Sequence, residues 1–470
     1  MKAYEHRAIG DEATAGAKVD VAPSRSGGRF LLSHGDVIAL SGDFFGADEL
    51  FELASVPGAS GVLTGTSDEV VCALKVMAVD EAVEDPRFGT GGEFATYQFS
   101  PQAARTDVER RVRDRFLARA ARNEDHFLAP WGDSYTGVSA RTTYRRLHQA
   151  ALDEACRLGG TGGDLCVAMA REAAAQHYLT DAFASGHVRT PIGAIREYWH
   201  ERYPRFWECL RGKIASDTAA ALRELAVPLR LVRRRTLHDR TLAAIHDRTE
   251  AYPPLSLGDL LGRVFHDWDN DHGLRLENGQ MLFGDGHLDN GIGRELAVAA
   301  VRAGNDDVEI AYGLGAAGRT SLGEPLYAAV RDATGAGPVA YTAESLLPRL
   351  SAHNRPLNWR AGDVDELWTS PIAGTTGPTV GEAVAAVLDE DGEVFRRLDC
   401  LGQGIVEAFD VVNVPILKAW LGRKACHAYH RGFLLGLARD PRAAVAAVVE
   451  QAGRTPDRSV TWPALAGHPS

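Results

Sequence analysis

The chain reads as an all-α protein, and three observations predict it. Apolar residues recur at helical rather than alternating spacing, as at Tyr144, Leu147, Ala151, Leu152 and Ala155. The stretch from Asp164 to Phe183 is a long alanine-rich run of good helix formers. Short, largely apolar runs of strand length are few, at 36–40 and 61–63.

Taken in order, residues 12–35 are small, polar and glycine-rich, and read as loop. Residues 68–84 and 101–121 read as helices, the second densely charged, and 123–140 as a loop containing Pro130 and Gly132. A helix over 141–158 follows, then one over 164–184, with Asp164 placed to cap it after Gly162-Gly163. Helices are expected over 191–212 and 215–250, the second stopped by Pro253-Pro254. A short helix over 257–266 leads into a Gly/Asn/Asp-rich loop at 267–290. Helical runs then lie near 292–303, 323–333, 342–350, 379–388, 393–435 and 440–453. There are no repeats. At 470 residues two domains are the default, and the frequent glycines of 300–340 place the boundary there. The expectation is a helical domain over 1–300 and a second helical domain, with no assigned role, over 301–470.

Composition narrows the class. The chain is 45% hydrophobic and 24% charged, which is globular and not disordered. A net charge of -12 argues against a broad nucleic-acid groove. The one basic segment, Arg230 to Arg248, reads as a solvated helix face. No apolar run approaches the ~20 residues of a membrane span. The first residues carry no apolar signal core, and the six cysteines form no CxxC pair. These point to reduced thiols and a cytoplasmic protein.

The most informative run is His177-Tyr-Leu-Thr-Asp181-Ala-Phe-Ala-Ser-Gly-His187. His177 and Asp181 are four apart, hence one turn above each other on one helix face. His187 follows Gly186, where the chain can turn back towards that face. Two imidazoles and a carboxylate converging on one point suit a divalent transition metal, zinc above all. A helix end with a solvated Asp, a capping His and a spare His is the plain alternative.

This run resembles the central zinc motif of the zinc-dependent phospholipase C and S1/P1 nuclease superfamily. The resemblance implies a multi-helix, all-α metal-binding core over roughly the first 290 residues, two to three zinc ions, and phosphodiester hydrolysis. It further implies that Asp181 bridges two ions, and that His177 and His187 serve different ones. Asp125-His126-Phe127, with Pro130 close behind, resembles the family's upstream ligand and adds His126. Asp43, in Ser-Gly-Asp-Phe-Phe-Gly, is preferred to Asp114 as the family's earlier carboxylate and as the group that orients or deprotonates the attacking water. His6 matches the family's early histidine, although a retained Met1 leaves the terminal-amine ligand in question.

The family closes its set with a histidine followed four residues later by a carboxylate. Here His266 is followed at that spacing by Asn270, so Asp269, at i+3, is expected to substitute, with Asp267 and His272 as outer groups. A calcium-type acidic loop over Asp267, Asp269 and Asp271 competes with this reading, as does a His-Asp pair of the HD phosphohydrolase kind. His200 is the other candidate for the histidine. His148, on an apolar helical stripe, is expected to be a core or outer-shell histidine. Gly284-Asp285-Gly286-His287-Leu288-Asp289 reads as a turn without a catalytic role, and His427 and His430 as structural.

The expected function is a zinc-dependent phosphoesterase acting on a phosphodiester, phospholipase C-like, with Asp43 and Asp181 at the reacting centre. A single-strand nuclease or phosphomonoesterase keeps the metals and changes the substrate. A non-catalytic helical lipid-binding or scaffold protein with a structural zinc belongs to a different class.

Overall fold

The structure is a computed structural model and describes residues 1–21, 31–46, 49–51, 69–70, 72–75, 77, 107–128, 137–225, 233–250, 254–319, 341–389 and 415–453. The apolar run at 61–63, the helical run at 323–333, most of the helix expected over 68–84 and the first part of that over 393–435 lie outside these residues.

The protein is mostly helical, as its sequence predicts. Helices α1 (Ala3–Thr14), α2 (His34–Leu40), α3 (Asp107–Ala120), α4 (Ala140–Thr161), α5 (Leu165–Asp181), α6 (Ser185–Arg189) and α7 (Ile192–Arg202) come first. They are followed by α8 (Phe206–Leu225), α9 (Arg234–Thr249), α10 (Leu257–His272), α11 (Gly293–Ala316), α12 (Val364–Thr369), α13 (Val380–Asp389), α14 (Pro415–Tyr429), α15 (Leu435–Arg439) and α16 (Pro441–Ala452). The described strands form two small antiparallel pairs. β1 (Lys18–Asp20) lies on β2 (Leu31–Ser33), with Val19 opposite Leu32, and β3 (Leu274–Arg275) lies on β4 (Met281–Leu282).

Several boundaries differ from expectation for local reasons. Residues 3–14 form a helix that the weak apolar pattern conceals; it is held by burial of Glu5, His6, Ile9 and Gly10. The helix expected over 191–212 breaks between Arg202 and Phe206, around Pro204, whose ring cannot continue a helix interior. The single helix expected over 215–250 is two, α8 and α9. Helix α10 runs on to His272, six residues into the expected loop, and ends at Gly273, whose φ is +70°.

The cap read at Asp164 is present, and two further caps accompany it. Asp164 accepts a hydrogen bond from the Cys166 N–H at 3.0 Å, and Ser139 from Thr142 at 3.2 Å. Ser256 and Asp259 cap α10 reciprocally, with Ser256 Oγ accepting from Asp259 N at 3.1 Å and Asp259 Oδ2 accepting from Ser256 N at 2.6 Å.

Helices α4, α5 and α11 pack side by side, and α5 also meets α2. Every residue of α5 from Ala173 to Asp181 is buried. Small alanine side chains let three neighbours close around it, so polar groups placed on α5 are necessarily internal. A second apolar cluster joins Ile195, Trp199, Leu261 and Phe265 to Trp368, Val384, Tyr429 and Val445. The C-terminal helices therefore share a core with α7, α8 and α10.

Between α4, α5 and α11 lies a fully buried polar group. His148 Nδ1 is 2.6 Å from Glu172 Oε2, and its Nε2 is 3.6 Å from Asp307 Oδ2. The expectation of a core histidine is met. Burial opposes its charge, but the two carboxylates outweigh burial and hold the imidazole up at about 9. The charged form is thus favoured in the folded chain over the unfolded one, whose ordinary value is 6.5. This stabilisation is complete below about pH 6.5 and is lost as the pH rises towards about 9. Thermal unfolding followed from pH 6 to 9.5 is expected to fall more steeply for the natural chain than for His148→Gln. Parallel curves would refute the paired imidazolium.

Candidate metal centre

The site is built around the C-terminal end of α5. His177 and Asp181 lie on one face, both fully buried. His177 Nδ1 donates to the Ile38 carbonyl at 2.9 Å, which leaves Nε2 facing Asp181 Oδ2 at 3.4 Å. The turn after α2 passes directly over this ring. An added Cβ at Gly42 would overlap the imidazole, and the residue's φ of +82° itself favours glycine. That turn delivers the neighbouring Asp43 carboxylate to the same place.

Three segments bring further imidazoles. A 3-10 turn, Asn123–His126, carries His126, whose Nδ1 meets Asp181 Oδ2 at 2.7 Å. Helix α6 carries His187, whose Nδ1 donates to the His126 carbonyl at 3.0 Å. Helix α1 places the His6 ring in a stack on that of His177, with centroids 4.2 Å apart. His6 Nδ1 donates to the Thr180 hydroxyl at 2.7 Å, since that hydroxyl spends its own proton on the carbonyls of α5. His6 Nε2 is left buried without a hydrogen-bond partner, 3.4 Å from Asp181 Oδ1.

Helix α10 supplies His266. Its Nδ1 meets Asp267 at 2.8 Å and its Nε2 lies 3.3 Å from Asp285 Oδ2. The α-amino group of Met1 completes the set. It donates to Asp181 Oδ1 at 2.8 Å and lies 3.2 Å from both Asp285 Oδ1 and His187 Nε2. Three trios result, each with ligand atoms within 4.8 Å of one another: His6, Asp43 and His177; His126, His177 and Asp181; His187, His266 and Asp285.

Seven of the eight residues expected at the site thus converge. Asp269 does not, and that expectation is corrected. It is buried, but Arg189, two residues past His187, holds it through a two-pronged ion pair, with Nε to Oδ2 at 2.9 Å. A guanidinium presented in this fork is the stronger partner. Asp285 takes the carboxylate place instead, from a turn read as having no catalytic role. The residue at i+4 of His266, Asn270, does mechanical work: its Oδ1 accepts the Gly186 N–H at 2.7 Å. A Cβ at Gly186 would overlap both Asn270 and the His266 carbonyl, so glycine is what lets α6 bring His187 alongside α10.

The calcium-type loop and the other histidine candidates fall away from the site. Asp267, Asp269 and Asp271 lie on a helix and face different partners, His266, Arg189 and His287, so they form no calcium-type loop. His200 is exposed on α7, and His272 stacks on Trp268, with centroids 3.5 Å apart.

Electrostatics sharpen the picture. Burial acts against the Asp181 carboxylate, yet the terminal ammonium, with His126 beside it, outweighs burial and holds the group well below its usual range. Burial likewise opposes the Asp285 charge, and the ammonium and His266 overcome it. The ammonium is raised to about 11, because Asp181, Asp285 and Asp43 outweigh its own burial. His177 is pushed well down by burial and by His6, and His187 by burial and by the ammonium. Both imidazoles are therefore neutral, the form that binds a metal. Buried imidazole nitrogens facing carboxylates are a donor set that could hold a metal ion.

A cavity of about 170 Å³ opens beside these groups. Met1, Asp43, His126, His187, His266 and Asp285 line it, together with the apolar Phe116, Phe127, Ile192 and Leu255 and with Arg196 and Arg263. No helix among the described residues is long and apolar enough to cross a membrane. Comparison with protein-family models, with curated proteins and with solved structures finds no match.

Proposed function

We propose that this chain is a zinc-dependent phosphoesterase that hydrolyses a phosphodiester, phospholipase C-like, on a helical core of the phospholipase C and S1/P1 nuclease type. The observation that supports it most is the gathering of five imidazoles, an amine and three carboxylates, Asp181 among them, beside a cavity that several of them line. A helical core has little cause to bury so many such groups together unless ions neutralise them. The three trios would hold two to three ions, with Asp181 shared. Bound zinc supplies Lewis-acid polarisation of phosphoryl oxygens and lowers the pKa of water.

The chain's own residues do the rest. Asp43 borders the cavity, and burial pushes its carboxyl up, which suits a group that accepts the proton of the attacking water. That water forms the new P–O bond, the ester P–O bond breaks, and the proton that Asp43 took from the water passes to the leaving alkoxide. Phe116, Phe127, Ile192 and Leu255 offer an apolar surface to the leaving group.

Zinc-loaded protein is expected to release p-nitrophenol from p-nitrophenyl phosphorylcholine, to stop on chelation and to resume on zinc addition. Faster turnover of p-nitrophenyl phosphate or of single-stranded DNA moves the substrate within the same chemistry. Bound zinc with turnover of none of the three replaces the enzyme with a scaffold holding a structural metal.

A further inference from the structure

The imidazoles of the site are held from behind in different ways. His177 and His187 donate Nδ1–H to backbone carbonyls, of Ile38 and His126, and His6 to the Thr180 hydroxyl. These acceptors are neutral. Asp125 stands 3.7 Å from His126 Nε2, whereas His266 has a carboxylate behind it in hydrogen-bond contact, Asp267 at 2.8 Å. That contact is unusual, because adjacent residues on a helix do not face each other. Arg263, one turn back on α10, explains it. Its Nε lies 2.7 Å from Asp267 Oδ2 and draws the carboxylate along the helix, leaving Oδ1 for His266. Arg263 also lines the cavity.

We propose that Asp267 is a positioning residue: braced by Arg263, its carboxylate fixes the His266 ring with Nε2 aimed at Asp285 and makes that nitrogen a stronger metal donor. A carboxylate behind a ligating histidine fixes the tautomer and orientation and raises ligand basicity. The trio of His187, His266 and Asp285 has particular need of it. Its carboxylate comes from a separate turn, and the Asn270 oxygen on the same helix is committed to Gly186. The ordinary alternative is an exposed i,i+4 helix pair between Arg263 and Asp267, which has no consequence for metal binding.

This proposal rests on the metal-centre reading above, and the test separates the two. Zinc affinity of the full chain is measured by chelator competition, and the cobalt-substituted chain by visible absorption. Asp267→Asn is expected to weaken one metal equivalent about ten- to hundredfold, leave the others in place and alter the cobalt spectrum. Arg263→Gln is expected to give a smaller loss at the same equivalent, and serves if Asp267→Asn does not fold. His266→Ala identifies the equivalent, and adding Asp267→Asn to it is expected to cost nothing more. Affinities within about twofold of the natural chain in both Asp267→Asn and Arg263→Gln overturn the positioning role. A natural chain that binds no zinc sinks the metal reading itself, and this role with it.

Discussion

Asp181→Asn is expected to lower phosphodiester turnover by more than about a hundredfold, above the ten- to hundredfold typical of an outer-shell change, and to remove more than one metal equivalent. The reason is geometric. Asp181 meets the Met1 ammonium, His6, His126, His177 and His187, all within 3.4 Å, so both oxygens are engaged at the junction of the trios. An amide keeps the shape and removes the charge, leaving the ammonium and the imidazoles without the carboxylate that neutralises them at full burial. His177→Ala and His187→Ala are each expected to remove most activity while sparing part of the metal content. Turnover within about threefold of the natural chain for Asp181→Asn would show that the carboxylate is not shared. The comparison needs zinc analysis on the same samples, because loss of activity with full metal content would place Asp181 in the chemistry instead of the scaffold.

Purified protein is expected to carry two to three zinc equivalents and to lose thermal stability when they are stripped. Metal that binds only the folded chain adds about 2.7 kcal/mol at a hundredfold excess over Kd, so chelation is expected to lower Tm on the order of 5 °C. Affinity is expected to fall below about pH 6, where free imidazoles protonate and the ligands compete with protons. Differential scanning with and without chelator, paired with elemental analysis after zinc-replete expression, reads all three. Metal at background levels and an unchanged Tm would remove the basis for a metal centre.

How much of this was legible in the sequence depended on how each residue is tied to its neighbours. His177 and Asp181 declare themselves because a helix converts a spacing of four into a shared face, and His187 because Gly186 lets the chain fold back. Asp43, His126, His6 and His266 lie on separate segments, and only their order along the chain, set beside a known family, marked them out. Asp285 carries no periodic signature. A carboxylate between two glycines is what any surface turn looks like, and its burial beside an ammonium and an imidazole is a tertiary fact. Asp269 failed for the complementary reason: its spacing allowed the site, but Arg189 from α6 claimed it. Helix α1 was obscured because it buries Glu5 and His6 on its inner side, so buried polar side chains interrupt the apolar pattern that reveals helices elsewhere.

The placement of Asp285 alters how the centre is assembled and lost. A carboxylate one helical turn from its histidine comes into position whenever that helix forms. Here the partner arrives on the turn that follows the β3–β4 hairpin, so completing the trio requires that hairpin to close over the end of α10. Local opening of a short two-stranded hairpin is far easier than unwinding a sixteen-residue helix. An ion at His187, His266 and Asp285 would then be the one to enter last and escape first, with the hairpin setting the pace of its exchange.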